Sequence, residues 1–177
     1  MIDIEQHFNE FNKKFTTSNH MTEEKFTLKI NKLVFHFPLK SKADNINLGY
    51  MQPKEWLIHE HQNNSLHEPG LVKLLFILAE IFKNSKVRFI DIGALYGYFS
   101  ILATKIFNDV EVLSVEANPY SCKYIESIEK DKKFVIHEII NTFVDIQNTA
   151  KKKMYINGYK FLNKTSYYIV IFKILIK

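Results

Sequence analysis

The chain has a single cysteine, Cys122, in 177 residues. One thiol builds neither a disulfide framework nor a thiolate metal site, and this sparing use fits a reducing cytoplasm. Long apolar runs are also lacking. The longest candidate, Tyr167 to Ile176, is interrupted by Lys173 and falls well short of the roughly 20 residues that cross a bilayer. Charge of one sign does not dominate: 24 basic residues stand among 19 acidic ones, for a formal net charge of +5. Lys130-Asp131-Lys132-Lys133 and Lys151-Lys152-Lys153 read as solvated turns, not as a basic face interleaved with aromatics, so a nucleic-acid partner is not expected. Met1-Ile2-Asp3-Ile4-Glu5 is acidic and polar and does not read as a signal peptide. There is no internal repeat and no low-complexity linker.

What is present is a globular composition, 46% apolar, in a chain long enough for one domain with a real core. Its most informative stretch is Asp91-Ile92-Gly93-Ala94-Leu95-Tyr96-Gly97-Tyr98-Phe99-Ser100. Val87-Arg88-Phe89-Ile90 before it reads as a buried parallel strand. Phe99, Leu102, Ala103 and Ile106 after it have the spacing of a helix's inner face. Strand, glycine turn and helix open a nucleotide-binding βαβ unit, in which glycine permits positive φ and close approach of a ligand to the backbone. One strand later, Val110 to Val115 ends in Glu116, an acid at a strand tip placed to accept hydrogen bonds from two ribose hydroxyls.

The turn discriminates between cofactors. Dinucleotide sites use G-x-G-x-x-G, whose middle glycine lets the pyrophosphate lie on the backbone. Here the spacing is Gly93-x-x-x-Gly97, and the bulky Leu95 fills that middle place. Asp91 is unfavourable beside a phosphate but suits a ligand with a cationic part. The charge logic favours S-adenosylmethionine over NAD or FAD.

These residues resemble a known family. Phe89-Ile90-Asp91-Ile92-Gly93-Ala94-x-x-Gly97-Tyr98-Phe99-Ser100, Val115-Glu116-Ala117-Asn118-Pro119 and the upstream His67-Glu68-Pro69-Gly70 are similar to segments of the FkbM-type class I methyltransferases over about residues 66–140. Leu95 stands where that family usually has Asn, and Ala117 where it usually has Pro. The resemblance implies a Rossmann-like fold and O-methylation of a sugar or natural-product hydroxyl. It also implies a cofactor pocket formed by Glu68, Asp91, Gly93, Ala94, Gly97, Tyr98, Glu116, Ala117, Asn118 and Asn141. It assigns no general base.

Along the rest of the chain, residues 1–20 read as polar and helical or frayed. Phe26, Leu28 and Ile30, then Val34, Phe35 and Phe37, read as a hairpin turning at Asn31-Lys32. Residues 41–67 read as loop. A helix is expected over Leu71 to Phe82 with Leu71, Leu74, Leu75, Leu78, Ile81 and Phe82 inward. Pro119 starts another, which carries Cys122, Ile125 and Ile128 inward. Phe134 to Ile140 reads as a third strand, Met154-Tyr155-Ile156 and Tyr167 to Ile176 as further β-prone segments, and Asn157-Gly158 as a hairpin turn. His59, Glu60, His61 and His67 form the one metal-like cluster. His-x-His puts two rings on one strand face, but without a third ligand at fixed spacing they read as surface loop histidines, and no metal is expected.

The fold class expected is α/β: a Rossmann-like, doubly wound, mostly parallel sheet over residues 66–177, with a β-rich N-terminal extension over residues 1–65. The sheet reads as truncated on its C-terminal side. The family's acidic fourth-strand motif, Ile-Lys-Ile-Asp-x-Glu-Gly, has no counterpart in Ile171 to Lys177. The function expected is an S-adenosylmethionine-dependent methyltransferase in the cytoplasm. The rival is a truncated or non-catalytic methyltransferase-like domain that self-associates or needs a partner chain to complete its sheet. A fragment of an NAD-type oxidoreductase is disfavoured by Leu95 and the glycine spacing.

Overall fold

Alternation of apolar and polar residues builds the first sheet. The structure, a computed structural model, describes residues 6, 9, 15–39, 52–130, 138–141 and 167–172. Strands β1 (Thr17–Met21), β2 (Lys25–Ile30) and β3 (Leu33–Pro38) form an antiparallel sheet in the order β1-β2-β3. Phe26, Leu28 and Ile30 are buried on one face of β2, and Phe35 and Phe37 join them from β3, the period-2 pattern of a half-buried sheet. The β2–β3 turn falls at Asn31, which takes a left-handed φ of 52°. Asn31 also closes onto Thr16, accepting from its N–H at 2.9 Å through Oδ1.

Val34 lies in β3 as the hairpin reading has it, exposed on the outer face between the inward Phe35 and the turn. One expectation fails here. Residues 17–20, read as helical or frayed, belong to β1, which gains its backbone partners from β2 despite a polar sequence.

A second sheet supplies the frame for the glycine turn. Strands β4 (Val87–Ile92), β5 (Val110–Glu116), β6 (Glu138–Asn141) and β7 (Tyr167–Phe172) are all parallel, in the order β6-β5-β4-β7. The central β4 is almost wholly buried, as expected of a parallel strand covered on both faces. Strand order runs outward from β4 through β5 to β6 and then returns to the far side of β4 with β7. The two crossovers described are helical: α3 (Tyr98–Ile106) between β4 and β5, and α4 (Pro119–Lys130) between β5 and β6. In α3, Phe99, Leu102, Ala103 and Ile106 are buried as their spacing predicts. Cys122, Ile125 and Ile128 are buried in α4.

Two further helices precede β4. The segment read as loop over 41–67 contains α1 (Pro53–Glu60), which turns inward Trp56 and Leu57. Pro53 occupies the first helical turn, where its missing N–H costs nothing. The Glu55 carboxylate accepts from the Gln52 N–H at 3.3 Å, closing the first turn. Helix α2 (Pro69–Ile81) follows a short 3-10 turn at Gln62–Asn64. Its fully buried residues are Val72, Leu75 and Ile77, while Leu71, Leu78 and Phe82 pack at the margin of the core. The buried stripe is therefore rotated from the one expected.

The two sheets share one core. Phe26, Leu28, Phe35 and Phe37 belong to the same hydrophobic cluster as Phe89, Tyr98, Phe99 and Ile125. Phe37 stacks on Tyr98 with ring centroids 5.6 Å apart. Tyr124 of α4 donates its hydroxyl to the Pro38 carbonyl at 2.8 Å. Of the other expectations, β6 retains the end of the third strand, and β7 retains part of the Tyr167–Ile176 segment. The lysine clusters at 131–133 and 151–153, the Met154–Ile156 segment and the Asn157-Gly158 turn lie outside the described residues. No helix among the described residues is long and apolar enough to cross a membrane.

Candidate functional site

The turn after β4 is bent by three left-handed residues: Gly93 (φ 76°), Leu95 (φ 52°) and Gly97 (φ 68°). Glycine adopts that region without steric cost, whereas leucine does so at about 1–2 kcal/mol. At Gly97 a second constraint applies. A Cβ there would lie 3.2 Å from Ile125 Cγ1, so the glycine also admits α4 against the turn. The start of the turn is spliced to the end of β5: the Gly93 and Ala94 N–H groups donate to the Val115 carbonyl at 2.9 and 3.1 Å.

Glu116, at the tip of β5 and only 8% exposed, ties the turn together. Its Oε2 accepts from the Leu95 N–H at 2.7 Å, and its Oε1 accepts from the Asn118 N–H at 2.8 Å. Asn118 in turn caps α4 by accepting from the Tyr120 N–H at 2.9 Å, the ordinary service of an Asn before a helix. The Leu95 and Asn118 N–H groups thus converge on one carboxylate, and the sequence-selected residues Gly93, Ala94, Gly97, Glu116, Ala117 and Asn118 come together at the carboxyl ends of β4 and β5. Asn141 ends β6 beside them, paired in register with Glu116.

Asp91 lies beneath this turn and is buried. Its Oδ2 accepts from the Ser100 N–H at 3.0 Å and from the Ser100 hydroxyl at 2.7 Å. Ser100 lies 2.7 Å from the Ser114 hydroxyl. Because the Ser100 proton goes to the carboxylate, Ser114 donates in that contact. Asp91 therefore satisfies an orphan donor in the first turn of α3 and sets a negative charge at the positive end of that helix. An anion at the same helix end would meet Asp91, which agrees with the preference for a ligand that brings no phosphate.

Aromatic rings wall the turn on the side of α1. Trp56 lies 5.8 Å from both Tyr96 and Tyr98, and Tyr96 lies 5.5 Å from Tyr124, all edge-to-face. Burial, helped by the charges of Glu116 and Glu55, pushes the Tyr96 hydroxyl up to about 12. Burial raises Tyr98 further, with Glu60 and Glu68 adding to it. Glu68 immediately precedes α2, with its Oε1 3.4 Å from His67 Nε2.

Sequence reasoning took the histidines for surface loop residues, and the structure corrects this. His59 is exposed at the end of a helix, not on a strand, but His61 and His67 are buried. His61 packs on Phe26 and Tyr98 and bonds through Nδ1 to the Ser65 carbonyl at 3.0 Å. A carbonyl only accepts, so Nδ1 carries the proton. His61 Nε2 and the Tyr98 hydroxyl are both buried without a hydrogen-bond partner. Burial holds the His61 pKa below its usual value, against a smaller opposing effect of the Ser65 bond. His67 Nδ1 lies 2.6 Å from Glu60 Oε2. Burial works to raise Glu60, but the bonds from His67 and His59 outweigh it and leave the carboxyl below its ordinary range. The signal for this cluster was present as the run of histidines and glutamates from 59 to 68. Their burial depends on Trp56, Tyr98 and Phe99 arriving from elsewhere in the fold. No group of three or more His, Cys, Asp or Glu side chains arranged to hold a metal ion occurs among the described residues.

No family model matches this chain, and no curated protein matches it.

Proposed function

We propose that the chain binds S-adenosylmethionine at the carboxyl ends of β4 and β5 and transfers its methyl group to a hydroxyl acceptor. The observation that carries this reading is the turn of three left-handed residues, Gly93, Leu95 and Gly97, closed by the Glu116 carboxylate. The turn stands where the strand order reverses between β4 and β7, and open α/β sheets bind ligands outside the strand ends at such a point. On this reading the parallel sheet is a Rossmann-like, doubly wound one.

The residues present fit this cofactor. Glu116 would hold the ribose hydroxyls, exchanging the Leu95 or Asn118 N–H for them. The turn backbone at Gly93 and Ala94 would take the amino-acid part. Asp91, at the head of α3, favours a cationic ligand over a pyrophosphate. The methyl group would arrive on a sulfonium centre, which is itself the leaving group, so the protein's main task is to align donor and nucleophile. A sugar or other natural-product hydroxyl is the acceptor class that the FkbM-type resemblance supports.

A second reading, a non-catalytic methyltransferase-like domain, is favoured by one observation. Both Glu116 oxygens already serve backbone N–H groups of the turn, a structural duty that needs no ligand. Calorimetric titration separates the two. S-adenosylhomocysteine should give saturable heat, and NADH should give none. Heat with NADH alone would return the site to the dinucleotide class, and silence with both would leave the turn as scaffolding.

A further inference from the structure

Two polar atoms stand unsatisfied where the two sheets meet. His61 and Tyr98 are each only 2% exposed, and neither His61 Nε2 nor the Tyr98 hydroxyl has a hydrogen-bond partner among the described residues, so they do not bond each other. Their rings lie 5.4 Å apart, tilted by 40°. The walls around them are aromatic. Phe26 lies 5.1 Å from His61, Phe37 stacks on Tyr98 at 5.6 Å, and Trp56 and Phe99 stand edge-on to Tyr98 at 5.8 and 5.2 Å. A polar atom left without a partner in such surroundings costs stability, and buried polar groups are in general satisfied by protein or by ordered water.

The two atoms have fixed and complementary senses. His61 Nδ1 gives its proton to the Ser65 carbonyl at 3.0 Å, so the neutral ring offers Nε2 as an acceptor only. The Tyr98 hydroxyl has one proton to give. Burial favours the uncharged form of both groups: it lowers the pKa of His61 and raises that of Tyr98. Glu60 and His67, the charged or titratable groups whose fields reach His61, are engaged with each other at 2.6 Å.

We propose that His61 Nε2 and the Tyr98 hydroxyl together form an internal site for one water molecule, which accepts from Tyr98 and donates to His61. The donor–acceptor pattern selects the ligand. An anion only accepts and would confront the Nε2 lone pair. An ammonium group only donates and would leave the Tyr98 proton without an acceptor. A hydroxylic molecule does both, and rings already in contact fit the smallest of that class. Two polar partners lie within the range that holds a buried water.

The bridge would join parts of the chain that are distant in sequence. The His61 carbonyl accepts from Asn19 Nδ2 at 2.8 Å, and Asn64 holds the same strand, accepting from the Thr17 hydroxyl at 3.0 Å and the Asn19 N–H at 3.2 Å. Tyr98 is the first residue of α3, directly after Gly97. The water thus links β1 of the antiparallel sheet to the end of the glycine turn. It is a site apart from the cofactor reading and stands whether or not the turn binds S-adenosylmethionine.

The test uses the whole chain and two measurements. The first is a crystal structure of the wild type at a resolution that shows ordered solvent. One water oxygen is expected at about 2.6–3.2 Å from both His61 Nε2 and the Tyr98 oxygen. A direct bond between the two side chains, or no water within reach of both, would overturn the proposal. The second is thermal unfolding of His61→Phe, Tyr98→Phe and the double variant. Each single change leaves one buried polar group of the bridge without its partner and should lower Tm by about 3–10 °C. The double variant removes both ends and should lose less than the sum of the two. Simple additivity would also overturn the proposal. The crystal structure decides between a bridging water and a direct contact, which the unfolding cycle alone does not separate.

Discussion

At Gly97 two requirements meet that only glycine satisfies: a φ of 68° and an approach that would bring a Cβ within 3.2 Å of Ile125. Gly97→Ala should lose about 1–2 kcal/mol from the backbone alone, plus a further loss from the overlap. Ile125→Ala empties the contact at a cost of about 2–5 kcal/mol. In chemical denaturation the double variant should lose less than the sum of the two single losses, because the overlap vanishes with the isoleucine. Simple additivity would show that φ alone selects the glycine. His61 allows a second prediction. Its pKa is held low by burial, so the folded state prefers the neutral ring. That stability is present above the ordinary histidine value of about 6.5 and is lost as pH falls below it toward the depressed folded value. The melting temperature should therefore fall between about pH 6.5 and 5, and His61→Gln should flatten that limb. Glu60, whose carboxyl is lowered, acts in a separate window. Its contribution holds above the ordinary carboxylate value and is lost only at more acid pH. An unchanged limb in His61→Gln would assign the acid sensitivity elsewhere.

Among the elements, those with strong periodicity or punctuation were legible from sequence, and those held by tertiary contacts were not. Strand β4, its glycine turn, α3 and the acidic tip of β5 follow from Val87 to Ser100 and from Glu116, because burial on both faces and left-handed turn geometry both leave marks in composition. Helix α1 left almost none. Only Pro53, Trp56 and Leu57 are buried in its eight residues, too few to set a period, and Gln52, Pro53 and Glu55 were its one local signal. Strand β1 is polar except for Met21 and exists through its pairing with β2. The β-forming character of β7 was readable, but its position on the far side of β4 was not, because strand order depends on the whole sheet. The site divides in the same way: Gly93, Gly97 and Glu116 were readable, whereas the pairing of His67 with Glu60 depends on folding α1 against α3. The β5 tip yields a prediction of its own. Glu116→Ala removes the acceptor for two N–H groups and should cost about 1.5–3 kcal/mol, as for hydrogen bonds to a charged group. It should weaken S-adenosylhomocysteine binding by tenfold or more. Stability lost with affinity intact would make Glu116 a brace for the turn and nothing else.

On the scale of the whole molecule, the antiparallel sheet and the parallel sheet are not independent. Phe26, Leu28, Phe35 and Phe37 share one cluster with Phe89, Tyr98 and Ile125, and α1 closes the same region with Trp56. Trp56 is the only tryptophan of the chain, so its fluorescence reports on the junction directly. Unfolding followed by that fluorescence and by far-ultraviolet circular dichroism should coincide in a single transition. An early fluorescence transition would show that the N-terminal sheet and α1 separate before the parallel sheet melts.

The assignment of the cofactor to the turn is tested most directly by backbone amide shifts in a two-dimensional nuclear magnetic resonance titration with S-adenosylhomocysteine. Leu95 and Asn118 are the informative reporters, since both donate to the Glu116 carboxylate that the ribose would engage. The expected result is saturable movement of the Gly93, Ala94, Leu95, Gly97 and Asn118 amides. Amides that stay in place at saturating ligand, or movement confined to residues remote from β4 and β5, would contradict it.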